Sequence, residues 1–226
     1  MFPRLPTVTK ALLIANAVLF LLQQPFLLGY GTFEPFMLQP LRSFDPFSPG
    51  GNFQPWQLLT YGFLHGSFMH LLFNMLALFM FGSPLEQTWG EKRFLIFYLV
   101  CVAGAGLCQL AVGAMMVDPA PVLGASGGVF GLLLAYGMLF PNQRVMLMFP
   151  PIPMKARTFV IVIGLTELVL GATSWQPGIA HFAHLGGMLF GWLLIRYWRG
   201  QSPFKRRPPG GPGTGPKRPN HLRSVK

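Results

Sequence analysis

The chain has 226 residues, of which 52% are apolar and only 10% charged, with a formal net charge of +11. A water-soluble domain carries about a quarter charged residues, so the composition excludes that class and indicates a polytopic membrane protein. The basic residues are not interleaved with aromatics on a folded surface, which excludes a nucleic acid as the partner.

Six apolar stretches follow one another at 11–28, 66–82, 94–117, 124–140, 158–174 and 179–198. A bilayer core of about 30 Å takes around twenty helical residues. The pattern therefore predicts an all-α fold, a compact bundle of six transmembrane helices spanning residues 11–198. Residues 1–10 carry Arg4 and Lys10 ahead of the first run. No small-x-small cleavage site follows Phe20, so this run is read as a span rather than a signal peptide. Residues 29–64 form the longest connection and hold Phe33, Phe36, Phe44, Phe47, Phe53 and Trp56 among prolines and glycines. So many aromatics predict a first loop lying in the lipid interface.

The second span opens "HGSFMHLLFNML", with His65, His70 and Asn74; the last two are i and i+4 and share one helical face. Cys101 and Cys108 in the third span lie about 10 Å apart along one helix, too far to pair, and read as apolar fillers. The fourth span, "GASGGVFGLLLAYG", carries Ser126 near its start and stops before Pro141. Its run of residues 124–140 covers about 25 Å as a helix. Its outer end is therefore expected below the membrane surface, with the preceding "MMVDPAPVLGA" dipping inward. The fifth span contains Glu167, and the sixth opens "GIAHFAHLGGMLFGW" with His181 and His184. Residues 199–226 are rich in Pro, Gly, Lys and Arg, and are expected to be a disordered basic tail near anionic headgroups.

Charge placement predicts the orientation. With alternating spans, every basic residue except Arg42 falls on one side, which places both termini in the cytoplasm. Spans two, four and six then run inward from the outer face. His70, Asn74, Ser126 and His184 all fall in their first turns, at one depth. Gly127 and Gly131 on the fourth span, and Gly187 and Gly191 on the sixth, form small-xxx-small pairs that allow close packing in lipid. Such packing would bring Ser126 within reach of His184, the geometry of a serine activated by a general base.

A metal reading of His65, His70, His181 and His184 is disfavoured. The pair His181 and His184 has no carboxylate between them, no His-Glu-x-x-His motif is present, and the cluster leaves Ser126 unexplained. No metal or other cofactor is implied. Glu167 is a candidate to orient His184, as in a triad. It is counted about ten residues below the outer end of its span, deeper than the histidine. The sequence therefore favours a structural hydrogen bond for Glu167 and a two-residue dyad.

Together "LTYGFLHGSFMHLLFNM", "GASGG" and "AHLGGMLFG" resemble the rhomboid family of intramembrane serine proteases, in the compact six-span form common among bacteria. The resemblance covers residues 10–198. It implies Ser126 as nucleophile and His184 as its base, with His70 and Asn74 holding the oxyanion together with backbone N–H groups near Ser126. It further implies that Phe130 supports the catalytic ring by stacking. Gly124, Gly127, Gly187, Gly191 and His65 are expected to shape the site. The family's first loop commonly carries Trp-Arg, whereas this chain has Trp56-Gln57. The implied substrates are transmembrane proteins, cut near their outer ends, and the implied setting is the bacterial inner membrane with the active site toward the outer face. The alternative is a non-catalytic relative that binds and escorts transmembrane helices. A channel or transporter is disfavoured because repeated halves are absent. Nothing in the sequence specifies an oligomeric state.

Overall fold

The structure is a computed structural model that describes residues 5–41, 53–116, 120–146, 151–173 and 181–200. Residues 201–226 of the basic tail, and Phe44 and Phe47 of the first loop, lie outside the described residues. Helices dominate. α1 is Thr7–Leu22 and α2 a single turn at Gln57–Thr60. α3 (Phe68–Ala77) continues through a π-turn at Leu78–Gly82 into α4 (Ser83–Trp89). Then come α5 (Glu91–Met116), α6 (Ser126–Leu139), α7 (Ala156–Thr173) and α8 (His181–Trp198).

Local chemistry sets these boundaries. Ser67 starts α3, its hydroxyl accepting the His70 N–H at 3.2 Å, as an N-cap should. Pro84 has no N–H to offer the Met80 carbonyl, and the helix widens into the π-turn just before it. Gly90, at φ +78°, ends α4 with its N–H on the Glu86 carbonyl, and α5 begins at the next residue. One departure from an all-α chain is a small antiparallel hairpin between α6 and α7. Its strands β1 (Arg144–Met146) and β2 (Pro153–Lys155) pair Val145 with Met154. The hairpin follows from loop closure, since the N–H groups of Ala156 and Arg157 reach back to the carbonyls of Gln143 and Pro141.

Phe68–Trp89, Glu91–Met115 and Ala156–Thr173 are long and apolar enough to cross a membrane, and Thr7–Leu22 and Ser126–Leu139 are shorter apolar helices. Ile161, Val162, Leu165, Leu168 and Val169 of α7 point outward, as do Phe68, Met69, Leu72 and Phe73 of α3. Apolar surface of that extent suits lipid rather than water.

Inside, α5 packs against α6 and α8 through small residues. A Cβ built on Gly131 would meet Cys101, one on Gly186 would meet Cys108, and one on Gly187 would strike the Gly127 carbonyl. Cys101 and Cys108 are free thiols that fill this contact. Lipid leaves little hydrophobic force between helices, so association there depends on such close van der Waals fit.

One buried charge escapes the sequence pattern. Glu86 is 3% exposed. Its carboxylate accepts the N–H groups of Val8 (2.8 Å) and Thr9 (2.7 Å) and the Thr9 hydroxyl (2.7 Å). The first N–H groups of α1 have no intrahelical partners, and an anion there also meets the positive end of the helix dipole. Glu86 thereby clamps α1 onto α4. Removing the carboxylate leaves three donors stranded, and Glu86→Ala is expected to lose roughly 3 kcal/mol of stability. Lys92→Ala, at an exposed position, is expected to stay within about 0.5 kcal/mol of the parent. Unfolding in detergent micelles measures both, and equal stability of the two variants would refute the clamp.

Candidate active site

Ser126 is the first residue of α6. The chain reaches it under external control. Val122 exchanges two backbone hydrogen bonds with Leu38 of the first loop, both 2.9 Å, and the Gly124 N–H donates to the Tyr61 carbonyl at 2.9 Å. Tyr61 is buried, and its hydroxyl donates to the Val102 carbonyl of α5 at 2.7 Å. Gly124 sits at φ +132°, where a Cβ would also come within 2.7 Å of the His70 ring. Both conditions restrict the position to glycine.

α8 approaches α6 with Gly187 against the Gly127 backbone, and a Cβ on Gly191 would lie 3.5 Å from the Gly131 Cα one turn further on. The contact places His184 beside the serine, Nε2 2.8 Å from Ser126 Oγ. Phe130, one turn after Ser126, stacks on the His184 ring with centroids 4.2 Å apart and planes 4° from parallel. The stack fixes the ring plane and leaves both nitrogens free to bond at its edge.

The other ring nitrogen meets a carboxylate. His184 Nδ1 lies 2.9 Å from Glu167 Oε2, and His181 Nδ1 lies 2.7 Å from the same oxygen. This corrects the expectation that Glu167 sits too deep to reach His184. Glu167 is six residues before the last residue of α7, and His184 three after the first of α8. The axial difference is only about 4.5 Å, which a glutamate side chain spans. A carboxylate oxygen at Nδ1 is an acceptor, so the hydrogen-bond network assigns the ring proton there and leaves Nε2 to accept from the serine hydroxyl.

The donor atoms of Glu167, His181 and His184 lie within 4.8 Å of one another, a spread that admits a metal ion. Two ligands each about 2.0 Å from a tetrahedral zinc stand roughly 3.3 Å apart. The observed 2.7 and 2.9 Å are instead hydrogen-bond separations.

His70 and Asn74 line the same cleft as Ser126 and His184. One amide N–H of Asn74 donates to the His70 carbonyl at 2.9 Å, and the amide carries a second N–H. His65 lies behind them, edge-on to His70 with centroids 5.0 Å apart, and its backbone N–H donates to the Gln23 side chain. The His65 ring is buried and buttresses His70 from behind. The cleft measures about 660 Å³ and is mainly apolar, walled by Phe73 and Ala77 of α3, Val129 and Leu133 of α6, and Phe159 and Ile163 of α7.

Gln57 occupies the position next to Trp56 and is buried. Its Oε1 accepts the N–H groups of Gln39 and Gln54, both at 3.1 Å, and its Nε2 donates to the Pro35 carbonyl at 3.0 Å. In this chain a neutral amide therefore closes the first loop. The partners of His184 that the sequence pattern did not assign are Glu167 and His181. Counting each helix from its own end would have found them, because the pattern alone does not locate those ends.

Residues 52–200 match the Rhomboid domain. That match covers more than half of the chain, and the chain belongs to the rhomboid family. It is 35% identical over 138 residues to rhomboid protease GluP of Bacillus subtilis. It is 34% identical over 139 residues to RHOMBOID-like protein 4 of Arabidopsis thaliana, and 33% over 140 residues to the mitochondrial Rhomboid protein 1 of Saccharomyces cerevisiae. These matches cover 61%, 62% and 59% of this chain, but only 25%, 33% and 40% of those three proteins.

The contact between Gly187 and Gly127 makes a direct test. Gly187→Ala forces α6 and α8 apart and is expected to destabilise the protein by about 1–3 kcal/mol. The same displacement should slow covalent labelling of Ser126 by a fluorophosphonate. Parental melting and labelling in this variant would show that the approach does not depend on glycine.

Proposed function

We propose that this chain is an intramembrane serine protease that hydrolyses peptide bonds in or near transmembrane segments of other membrane proteins. The observation that carries the reading is the 2.8 Å separation of His184 Nε2 and Ser126 Oγ beside an apolar cleft. Ser126 Oγ attacks the scissile carbonyl carbon while His184 Nε2 takes the hydroxyl proton, then delivers it to the departing amine. Water, deprotonated in turn by His184, hydrolyses the acyl-enzyme ester. The oxyanion is held by the N–H groups at the start of α6, which lack intrahelical partners, and by His70 and Asn74. The helix dipole favours negative charge at the same place.

In this reading α1, the α3–α4 continuation, α5, α6, α7 and α8 are six spans, with both termini cytoplasmic and the site facing the outer side. α6 has 14 residues, about 21 Å, less than the bilayer core of about 30 Å. Its N-terminal Ser126 then lies below the outer surface, where it meets a substrate that is itself in the membrane. A helical substrate has its carbonyls hydrogen-bonded, so cleavage requires local unwinding and favours small or helix-breaking residues near the cut. The exposed Phe36 and Trp56 of the first loop suit the lipid interface. The likeness to a named rhomboid protease supports the whole reading.

Purified protein in detergent with a model transmembrane substrate tests it. Ser126→Ala and His184→Ala are each expected to abolish cleavage, and the double variant to be no worse, because the two act as a unit. Asn74→Ala is expected to lose about 10²–10³ in rate yet stay measurable, since other oxyanion donors remain. Chelators are expected to have no effect. Absence of cleavage by the parent across many substrates would favour a protein that only binds transmembrane helices.

Orientation is tested separately, with Cys101 and Cys108 replaced. A cysteine at position 126 should react with a small water-soluble thiol reagent added from outside, and one at position 144 only from the cytoplasmic side. The reverse pattern would overturn the assignment drawn from charge.

A further inference from the structure

The reaction above needs a serine and a histidine, and it leaves unused a carboxylate in contact with that histidine. A glutamate within a membrane span is expensive, and its environment must compensate for its charge. Here the compensation is specific. One oxygen, Glu167 Oε2, receives Nδ1 of both His181 (2.7 Å) and His184 (2.9 Å). The two rings stand nearly perpendicular, at 88°, so His181 approaches the carboxylate without competing for the face of His184 that stacks on Phe130.

We propose that Glu167 is a positioning residue for catalysis, completing a Ser126–His184–Glu167 relay in which His181 anchors the carboxylate. The assignment rests on the protease reading above. A purely structural role, tying α7 to α8, would be met by the His181 bond alone. The second bond goes to the one ring whose far nitrogen faces Ser126. Phe130 fixes the plane of that ring but does not distinguish its two edges; the carboxylate does, because only an N–H can face it. Glu167 thus selects the tautomer that leaves Nε2 free to accept a proton.

The carboxylate contributes more as the reaction proceeds. A general base must start neutral, and in that state the contact is a hydrogen bond from His184 Nδ1 to the carboxylate. Once the Ser126 proton has moved to Nε2, the ring is a cation 2.9 Å from an anion in a site of low dielectric. An interaction that strengthens toward the transition state raises kcat rather than substrate binding. Among the described residues, the groups around His184 are His70 from α3, Ser126 and Phe130 from α6, Glu167 from α7 and His181 from α8. Glu167 is the one carboxylate among them.

The test compares Glu167→Gln and Glu167→Asp with the parent in detergent, reading kcat and KM on a transmembrane substrate and fluorophosphonate labelling of Ser126. Glu167→Gln retains size and removes charge; kcat is expected to fall at least tenfold with KM within twofold, and labelling to slow in parallel. Glu167→Asp retains charge on a shorter arm and is expected to keep a higher kcat than the Gln variant. If Glu167→Gln unfolds, the Asp variant alone is still expected to lose kcat at unchanged KM. A loss below tenfold in a folded Gln variant, equal impairment of Gln and Asp, or a change confined to KM would each overturn the assignment. A parent that neither cleaves nor labels at Ser126 would instead sink the protease reading itself, so the two failures are separable.

Discussion

The arrangement depends first on how closely two helices can approach in a solvent that does not drive them together. Lipid chains are as apolar as leucine, so α6 and α8 gain little from hiding apolar surface and must gain from contact. Gly187 against the Gly127 carbonyl, and Gly191 against Gly131, bring the two backbones together with no side chain between them. Ser126 and His184 lie at the outer edge of that same contact. Their 2.8 Å separation follows from backbone geometry, with the flexibility of longer side chains playing little part. α5 supports both helices from behind through Cys101, Ala105 and Cys108, which are small for the same reason.

A second constraint is the treatment of polar groups buried among so many apolar ones. Glu86 caps the first turn of α1, Gln57 closes the first loop through hydrogen bonds to Gln39, Gln54 and Pro35, and Glu167 gathers two imidazoles. Each meets several donors or acceptors at once, as a low-dielectric surrounding demands. Glu86 and Gln57 explain stability and loop shape. Glu167 alone touches the proposed chemistry, and its placement turns a pair of residues into a line of three.

The first loop links these parts. Leu38 pairs with Val122, and Tyr61 accepts the Gly124 N–H, so a segment remote in sequence sets where α6 begins. The N-terminal N–H groups of α6 and the Ser126 hydroxyl share that origin. Disturbing the loop would therefore move nucleophile and proposed oxyanion donors together.

Much of this was legible in the chain itself. The apolar runs locate the long helices because helix length and hydropathy are local properties, and the i, i+4 spacing of His70 and Asn74 needs only helical periodicity. The glycine pairs on the fourth and sixth runs likewise mark surfaces able to approach closely. What the sequence left open were relations between helices. Whether Glu167 reaches His184 depends on where α7 and α8 each end and on their relative axial shift, and neither is encoded in residue spacing within one helix. Glu86 lies just beyond the apolar run at 66–82 and carries no signal of its partner; only the fold shows that it faces the α1 N-terminus seventy-seven positions away in sequence. By itself the sequence determined a membrane-embedded helical protein with a serine and histidines on helices able to meet, because composition and periodicity act locally. The tertiary structure alone decided which nitrogen of which histidine meets which oxygen, because that depends on the packing offsets between chain-distant helices.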